Sequence, residues 1–432
     1  MSRARSLALQ SIGAVLDRGA YSNIEASRAL AGEQLSEADR GLYKQLFYGV
    51  LERVIPLDYC IGRFSKMNRT SSMLTNILRL GACQILFLDR IPHRAAVDES
   101  VKLARRAAPQ AAGFVNAVLR NIARSRDGLL EELDRGGLSL KYSVHPDLAK
   151  LLADVYGSAD ARAFLAGVPG QQARLCARIN TLRCSGAAAF AEAAAADGVT
   201  AEPGPLPGSV FLRVSSALEQ TAAWRAGLFH LQGCASQLAA ASVGAKPGDT
   251  VFDVCAAPGS KSFTMAQQMH DRGAIYAFDL HPHRVRLIEA GMRRLGISCV
   301  HPAAADATRP YPVRAQADAA LVDAPCSGYG MIARRPELRY RPPSAFSGLP
   351  AVQRAVLERA AQSLRPGGRL VYSTCTLVPA ENRAVTDAFI RDNPGFSYAP
   401  CPRLSGADAD GPVTLFEPGV EGFYIAAIQR EA

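Results

Sequence analysis

The chain has 432 residues, and at roughly 150 residues per domain this length predicts about three domains. Hydrophobic residues make up 48% and charged residues 20% of the sequence, which excludes a largely disordered, collagen-like or coiled-coil protein. The 49 Lys and Arg residues outnumber the 39 Asp and Glu residues, so the net charge is +10. This excess favours a polyanionic partner such as a nucleic acid, but a basic enzyme that binds none stays an alternative.

The ten cysteines are scattered without a CxxC pair, which predicts free thiols in a reducing compartment and no zinc site. His281 and His283 share one turn, but no cluster of thiols or carboxylates accompanies them. No segment reaches the 18 apolar residues that a membrane span needs. We therefore expect a cytoplasmic protein without a metal.

Residues 1–138 have apolar residues at helical spacing, which predicts an all-α helical bundle. One apolar stripe runs from Leu42 to Val54, and Ser36 with Asp39 predicts a capping box before it. Further stripes follow in residues 97–108 and from Phe114 to Ile122. The bundle also carries basic residues at helical spacing, which form either an RNA-facing surface or merely solvated faces: Lys102, Arg105, Arg106, Arg120 and Arg124.

Residues 139–235 predict a small α+β extension of the domain that follows. Its expected elements are a helix near residues 148–156, a strand at 173–179, a helix from Ala187 and an apolar run at 210–214. The Pro and Gly cluster at residues 203–208 is typical of a loop.

Residues 236–432 alternate strands, glycine turns and helices, which predicts a Rossmann-like, doubly wound parallel sheet. The last apolar run, Phe423–Ile428, predicts a closing edge strand. The other predicted strands are Thr250–Cys255, Ala274–Asp279, Ala319–Asp323 and Arg369–Ser373. The predicted helices are Ser262–Met269, His283–Leu295, Val352–Leu364 and Glu381–Asp392.

Ligands of such sheets bind at the carboxyl ends of the strands. The first strand leads into the turn Asp253–Ser262, whose helix could present amides to a ligand. A P-loop and a GxGxxG fingerprint are both absent from it. Asp279 ends the second strand, where an acidic residue binds ribose hydroxyls. A third strand is expected between Asp279 and Asp306, so that Asp306 follows it and would lie beside the base. This arrangement favours a nucleoside-containing cofactor.

Two more strands end in polar turns that each contain a cysteine, Cys326 and Cys375. Either cysteine alone would more often be a core residue, but Asp323 and Lys261 converge on the same rim, which favours a functional pair. A zinc nucleobase deaminase would need PCxxC, and Tyr329 occupies the position of its second cysteine.

The motifs DVCAAPGSKS, DAPCSG and STCTLVPAEN resemble those of the RNA cytosine-C5 methyltransferases that use S-adenosylmethionine. The segment Phe114–Ile122 resembles the antitermination-factor-like RNA-binding domain, and Arg178–Arg183 (RINTLR) extends the similarity to nearly the whole chain. Three positions in two motifs depart from the usual patterns. Ser260 and Ser262 replace Gly and Thr of AAPGGKT, and Gly233 replaces the acid of VQDxASQ.

The resemblance implies a monomeric enzyme that methylates carbon 5 of a cytosine in 16S ribosomal RNA. It assigns the attack on carbon 6 to Cys375 and a part in the later release to Cys326. Lys261 is then a candidate to favour the thiolate, and Asp323 to bind the N3 and N4 edge of the cytosine. The residues implied to bind S-adenosylmethionine are Cys255, Ala256, Ala257, Pro258, Gly259, Ser260, Lys261, Asp279, Asp306 and Asp323.

Three other functions stay open at this point: methylation of another RNA such as tRNA, methylation of DNA cytosine, and a non-catalytic assembly or antitermination factor. The second cysteine and the RNA-type helical domain disfavour DNA, and the intact Asp279, Asp323, Cys326 and Cys375 disfavour a dead enzyme. Residues 328–344 carry four arginines and Tyr340, which predicts either an RNA-stacking surface or a solvated loop.

Overall fold

The computed structural model describes residues 2–66, 70–172, 175–214 and 218–432. The chain forms two compact units, one of residues 1–166 with 332–345 and the other of residues 167–331 with 346–432. The sequence assigned residues 332–345 to the third domain, whereas they belong to the helical unit. Among the residues described, no helix is long and apolar enough to cross a membrane.

The first unit is a helical bundle, as the sequence predicted. Ser36 is the N-cap of the third helix and its Oγ accepts a hydrogen bond from the Asp39 backbone, so the predicted capping interaction is confirmed. Phe114 is 37% exposed, so its place in a core stripe was wrong. The helices are α1 (Arg3–Leu16), α2 (Ser22–Ala31), α3 (Glu37–Leu51), α4 (Val54–Gly62), α5 (Ser72–Phe87), α6 (His93–Ala107), α7 (Ala112–Arg124), α8 (Arg126–Arg135), α9 (Leu138–Tyr142), α10 (Pro146–Tyr156) and α11 (Ser158–Gln172), whose last residues pass into the second unit.

The core of the bundle lies along α3, α5 and α7, whose apolar faces are fully buried. Leu46, Phe47 and Val50 of the predicted stripe are 0% exposed, as are Ile77 and Leu80 of α5. Amphipathic spacing thus places one face of each helix inside and leaves its charged residues in solvent.

The arginine-rich segment packs on the bundle through Tyr340 and Arg339. The Tyr340 hydroxyl donates to the Leu51 carbonyl at 2.6 Å and lies 3.0 Å from Ser143 Oγ. Arg339 is buried and donates to the Tyr142 carbonyl at 3.3 Å. These two side chains are committed to the fold, so the predicted RNA-stacking surface is wrong for them.

The second unit begins with a four-stranded antiparallel sheet in the order β2-β3-β1-β4. Its strands are β1 (Leu175–Ile179), β2 (Val199–Pro203), β3 (Ser209–Val214) and β4 (Phe229–Leu231), with helices α12 (Ala187–Ala195) and α13 (Ala222–Arg225). The strand predicted at 173–179 is β1, and its residues 173 and 174 lie outside the described part of the chain. The α+β prediction therefore holds for the described residues within 175–231, whereas residues 139–166, also assigned to this extension, belong to the helical unit.

The remaining chain forms the predicted mixed α/β unit around an eight-stranded sheet. Its helices are α14 (Cys234–Ser242), α15 (Ser260–Gln268), α16 (Pro282–Leu295), α17 (Leu349–Gln362) and α18 (Arg383–Asp392). Its strands are β5 (Thr250–Asp253), β6 (Ala274–Asp279), β7 (Val300–Ala304), β8 (Ala317–Asp323), β9 (Leu364–Thr374), β10 (Phe396–Tyr398), β11 (Val413–Leu415) and β12 (Phe423–Arg430).

The strand order is β10-β12-β9-β8-β5-β6-β7, and β11 pairs with β12. Strands β5 to β9 are parallel, whereas β12 runs antiparallel between β9 and β10. The prediction that Phe423–Ile428 closes an edge was therefore wrong, because β10 covers that side. Strands β6 and β7 lie on one side of β5, and β8 and β9 lie on the other, so the strand order reverses at β5. Doubly wound sheets bind ligands in the crevice at such a point, which here lies beside β5 and β8.

Candidate active site

Strands β8 and β9 are parallel neighbours, so the residues that follow them meet at one edge of the sheet. Asp323 stands opposite Ser373 in the register, and the Ser373 hydroxyl donates to Asp323 Oδ1 at 2.8 Å. Beyond these ends, the sulfurs of Cys326 and Cys375 lie 3.3 Å apart, and both side chains are half-buried. The structure thus brings together the two cysteines that the sequence singled out.

Lys261 extends from the first turn of α15 toward the same edge. Its Nζ donates to Asp323 Oδ2 at 2.6 Å and lies 5.7 Å from the centre of the Phe423 ring. Burial disfavours a charge on Lys261, but the attraction of Asp323 outweighs it, so the pKa of Lys261 is raised. A cation and a carboxylate therefore form a fixed pair beside the two thiols.

The hydrogen bond to Cys375, together with burial, raises the pKa of the Cys326 thiol well above its usual range. At neutral pH Cys326 is therefore a protonated thiol. It has the geometry to donate its proton to the Cys375 sulfur.

A buried carboxylate, Glu381, joins the two cysteine-bearing turns. It accepts hydrogen bonds from the Ser327 backbone at 2.9 Å and from the Ser327 hydroxyl at 2.5 Å. The same hydroxyl lies 2.6 Å from Thr376 Oγ1, and Gln353 donates to Glu381 at 3.0 Å. Because Ser327 follows Cys326 and Thr376 follows Cys375, this network fixes the spacing of the sulfurs.

The loop Cys255–Gly259 joins β5 to α15, and its shape is fixed by a backbone hydrogen bond to β6 and by the conformation of Gly259. The Ala256 N–H donates to the Phe278 carbonyl of β6 at 2.7 Å. Gly259 has φ +105°, and a Cβ there would lie 2.5 Å from the Phe263 ring. The loop therefore requires glycine at 259, and its Pro258 is exposed toward solvent.

The two serines that depart from the usual loop pattern are accommodated. The Ser262 hydroxyl donates to Asp253 Oδ2 at 2.6 Å, a bond that any hydroxyl at this position can form. Ser260 is the first residue of α15 and is half-exposed, so its side chain has room. Asp253 is 0% exposed, and burial raises its pKa to about 7.

Asp279 lies at the end of β6 beneath the loop. Its carboxylate accepts from the backbone of Ala257 at 3.3 Å and of His281 at 3.1 Å, and pairs with Arg284 at 3.2 Å. Asp279 is 3% exposed, and Arg284 also donates to the Ala257 carbonyl at 2.9 Å. The contact of Asp279 with a nucleoside ribose stays a prediction.

Asp306 follows β7, whose end is tied to β6 by the hydrogen bond from the Ala305 N–H to the Asp279 carbonyl. Its Oδ1 accepts from the Thr308 backbone at 2.9 Å and from the Thr308 hydroxyl at 2.7 Å. These hydrogen bonds lower the pKa of Asp306, which therefore caps its own turn as an anion. Its contact with a base stays a prediction.

Sequence reasoning missed several polar residues of this site. Glu381 and Ser373 lie inside the quoted motif STCTLVPAEN or directly at its start, and Asp253 opens the motif of the loop. The sequence signal that could have identified them is a charged or hydroxyl residue next to a strand end. Only the fold shows which partners each of these residues contacts. Arg284 has no such signal. Within the residues described, no cluster of His, Cys, Asp and Glu could hold a metal ion.

Comparison with known proteins identifies the family. The NusB family profile matches residues 2–124, and the profile of 16S rRNA methyltransferase RsmB/F matches residues 240–429. The probable ribosomal RNA small subunit methyltransferase B of Bacillus subtilis is 35% identical over 404 residues, which cover 91% of this chain and 89% of that protein. The chain belongs to the ribosomal RNA small subunit methyltransferase B family.

Further relatives and solved structures cover between 66% and 100% of this chain. Ribosomal RNA small subunit methyltransferase B of Thermus thermophilus is 34% identical, covering 96% of this chain and 95% of that protein. The crystal structure of PH0851 superimposes with a TM-score of 0.82 over 100% of this chain and 99% of its own, and at 23% identity it supports the fold. The structure of NSun6 from Pyrococcus horikoshii with SFG has a TM-score of 0.59 and covers 66% of this chain and 98% of its own.

Membership of this family confirms the class predicted from the motifs. The protein is an S-adenosylmethionine-dependent ribosomal RNA methyltransferase with a NusB-type helical domain. Its methyl donor is S-adenosylmethionine.

Proposed function

We propose that this protein methylates carbon 5 of a cytosine in 16S ribosomal RNA through a covalent bond between Cys375 and carbon 6. The observation that carries this proposal is the pair of sulfurs 3.3 Å apart beside the Lys261–Asp323 ion pair. Two thiols at one strand edge suit a reaction that needs one sulfur to attack and another group to assist its release.

Carbon 5 of cytosine is a poor nucleophile, so attack by Cys375 on carbon 6 must first convert the base to an enamine. S-adenosylmethionine, when bound, supplies the methyl group that this enamine takes up. Solvent then takes up the proton from carbon 5, and the electron pair of that C–H bond re-forms the double bond between carbons 5 and 6 as the bond between carbon 6 and sulfur breaks. This restores the aromatic ring and frees Cys375 as a thiolate. Cys326 takes part in this release.

Asp323 is positioned by Ser373 and Lys261 to accept a hydrogen bond from the N4 amino group, on the N3 and N4 edge of the cytosine. Because Lys261 is bound to Asp323 at 2.6 Å, its charge is shared between that carboxylate and the nearby Cys375. Lys261 thus stabilises a Cys375 thiolate with only part of its charge. A hydrogen bond from the protonated Cys326 thiol adds to this stabilisation.

The methyl donor would be held by the loop Cys255–Ser260 and by three carboxylates. Asp279 would bind the ribose, Asp306 would lie beside the base, and Asp323 with Lys261 would line the reacting end. This assignment is supported by the position of the loop at the reversal point of the sheet.

The substrate base must be unpaired or flipped out, because carbons 5 and 6 are inaccessible within a stacked helix. We infer that the NusB-type unit contributes RNA affinity and that the enzyme acts as a cytoplasmic monomer on RNA and not on DNA. Other RNAs such as tRNA are the alternative substrates.

The decisive experiment compares methyl transfer to 16S rRNA, tRNA and duplex DNA and maps the product nucleotide. We expect 5-methylcytosine in 16S rRNA alone. Methylation of tRNA or DNA in preference would overturn the substrate, and a methyl group on any other atom would overturn the mechanism.

The roles of the two cysteines are tested by substituting each of them. Cys375→Ala should abolish methylation and form no adduct, because nothing attacks carbon 6. Cys326→Ala should still permit attack but slow the release, so a protein–RNA adduct should accumulate and survive denaturing electrophoresis. An adduct with Cys375→Ala but not with Cys326→Ala would make Cys326 the nucleophile. If both cysteines are only core residues, neither variant would trap an adduct.

A further inference from the structure

Helix α14 begins at an N-cap that has no side chain of its own. Gly233 occupies the N-cap in an extended conformation, with φ −62° and ψ 149°. Aspartate is among the residues that best cap a helix. An aspartate could adopt the φ of Gly233 without strain, so backbone conformation does not explain the glycine.

The space that a side chain at 233 would enter is filled by another carboxylate. A Cβ added to Gly233 would lie within 3.0 Å of Oε1, Oε2 and Cδ of Glu421. Glu421 precedes β12, and its Oε1 is shielded from solvent. The carboxylate is therefore present at the start of α14, but it comes from a residue 188 positions further along the chain.

Glu421 belongs to a loop that is hydrogen-bonded to the cysteine turns. The N–H of its neighbour Gly422 donates to the Gly330 carbonyl at 3.1 Å, and the Gly330 N–H donates to the Cys375 carbonyl at 3.0 Å. On the other side of Gly422, the Phe423 ring lies below Lys261 Nζ. Any displacement of this loop is thus transmitted to the backbone of Cys375.

We propose that Glu421 is a positioning residue that supplies, at the start of α14, the carboxylate that the glycine N-cap lacks. Its carboxylate provides negative charge at the N-terminus of α14, where the helix dipole favours it. It also fixes the loop that supports Gly330 and Cys375. The inference rests on the proposed function, because its effect on the reaction passes through Cys375.

The test exchanges the two positions. Glu421→Ala should lower kcat for rRNA methylation about tenfold, within the range of coupling between contacting residues, and leave the KM for S-adenosylmethionine unchanged. Gly233→Asp alone should lower kcat at least as much as Glu421→Ala does, since the carboxylates of residues 233 and 421 would occupy one space. The double variant Gly233→Asp/Glu421→Ala should recover kcat to within about threefold of the wild type.

Each rate is measured well below the melting temperature of the variant, with Glu417→Ala as the matched control because Glu417 lies exposed on the same loop. A merely structural role for Glu421 would lower the melting temperature without changing kcat, and this result would overturn the inference. A double variant as impaired as Glu421→Ala would also overturn it. If the wild type itself methylates no cytosine, the proposed function fails instead.

Discussion

At the scale of single residues, the Asp279 carboxylate accepts hydrogen bonds from the backbones of Ala257 and His281 and pairs with Arg284, and we propose that it also binds the ribose of the methyl donor. Asp279→Ala should weaken S-adenosylmethionine binding roughly tenfold to a hundredfold, because a charge-assisted hydrogen bond contributes about 1.5 to 3 kcal/mol. Titration calorimetry measures this loss, and RNA affinity should be unchanged. Asp279→Asn, which keeps the size of the side chain, separates the loss of charge from the loss of packing. Unaltered cofactor affinity in both variants would remove Asp279 from the site.

The raised pKa of Asp253 predicts that the free energy of unfolding depends on pH. Its pKa is about 7 in the folded protein and near its ordinary value of about 3.9 in the unfolded chain. Between these values the folded state holds a proton that the unfolded state has lost. The free energy of unfolding therefore falls by up to about 1.4 kcal/mol per pH unit as the pH rises, and this contribution of Asp253 is constant above about pH 7.

Asp253→Asn removes this titration, so its melting temperature should fall less between pH 5 and pH 7 than that of the wild type. Thermal unfolding at several pH values tests the difference. Parallel curves for the two proteins would show that Asp253 is ionised in the folded state throughout this range.

At the scale of elements, the two cysteine turns depend on a carboxylate from the segment that precedes α18. Glu381→Gln replaces an acceptor by a group that cannot accept from both donors of Ser327, so the turn after β8 should shift relative to the turn after β9. We expect kcat to fall by at least about tenfold, because one of the two buried hydrogen bonds is lost and the other no longer meets a charged group. The affinity for S-adenosylmethionine should hardly change.

Single-turnover methylation measures this effect, and Glu417→Gln on an exposed loop is the control. Adduct formation by Cys326→Ala in the Glu381→Gln background provides a second readout. An unchanged rate of adduct formation there would show that Glu381 supports only the stability of the sheet.

At the scale of the whole molecule, the positive charge predicts RNA affinity that falls with salt. Arg105 and Arg106 are exposed at the end of α6, whereas Lys102 is paired with Glu99 at 2.6 Å. If these three residues contact RNA phosphates, replacing them by alanine should reduce the slope of log affinity against log salt by up to about 2. An unchanged slope would mean that the three side chains are only solvated.

The sequence by itself determined which elements form and which chemistry they carry. Helical spacing predicted the bundle, alternation predicted the parallel sheet, and strand-end turns identified Asp323, Cys326 and Cys375. These signals are local, because side chains that are buried together or that follow a strand repeat at short, regular intervals. The bounds of β6 were predicted to the residue, and α16 began one residue earlier than predicted.

The tertiary structure alone decided which distant residues meet. The order of strands placed Phe423–Ile428 inside the sheet, and the packing of Tyr340 on Leu51 and Ser143 assigned an arginine-rich segment to the helical unit. The partners of Glu381 and the space filled by Glu421 lie tens to hundreds of residues away in the chain. No local periodicity encodes such contacts, because they depend on how complete elements pack against one another.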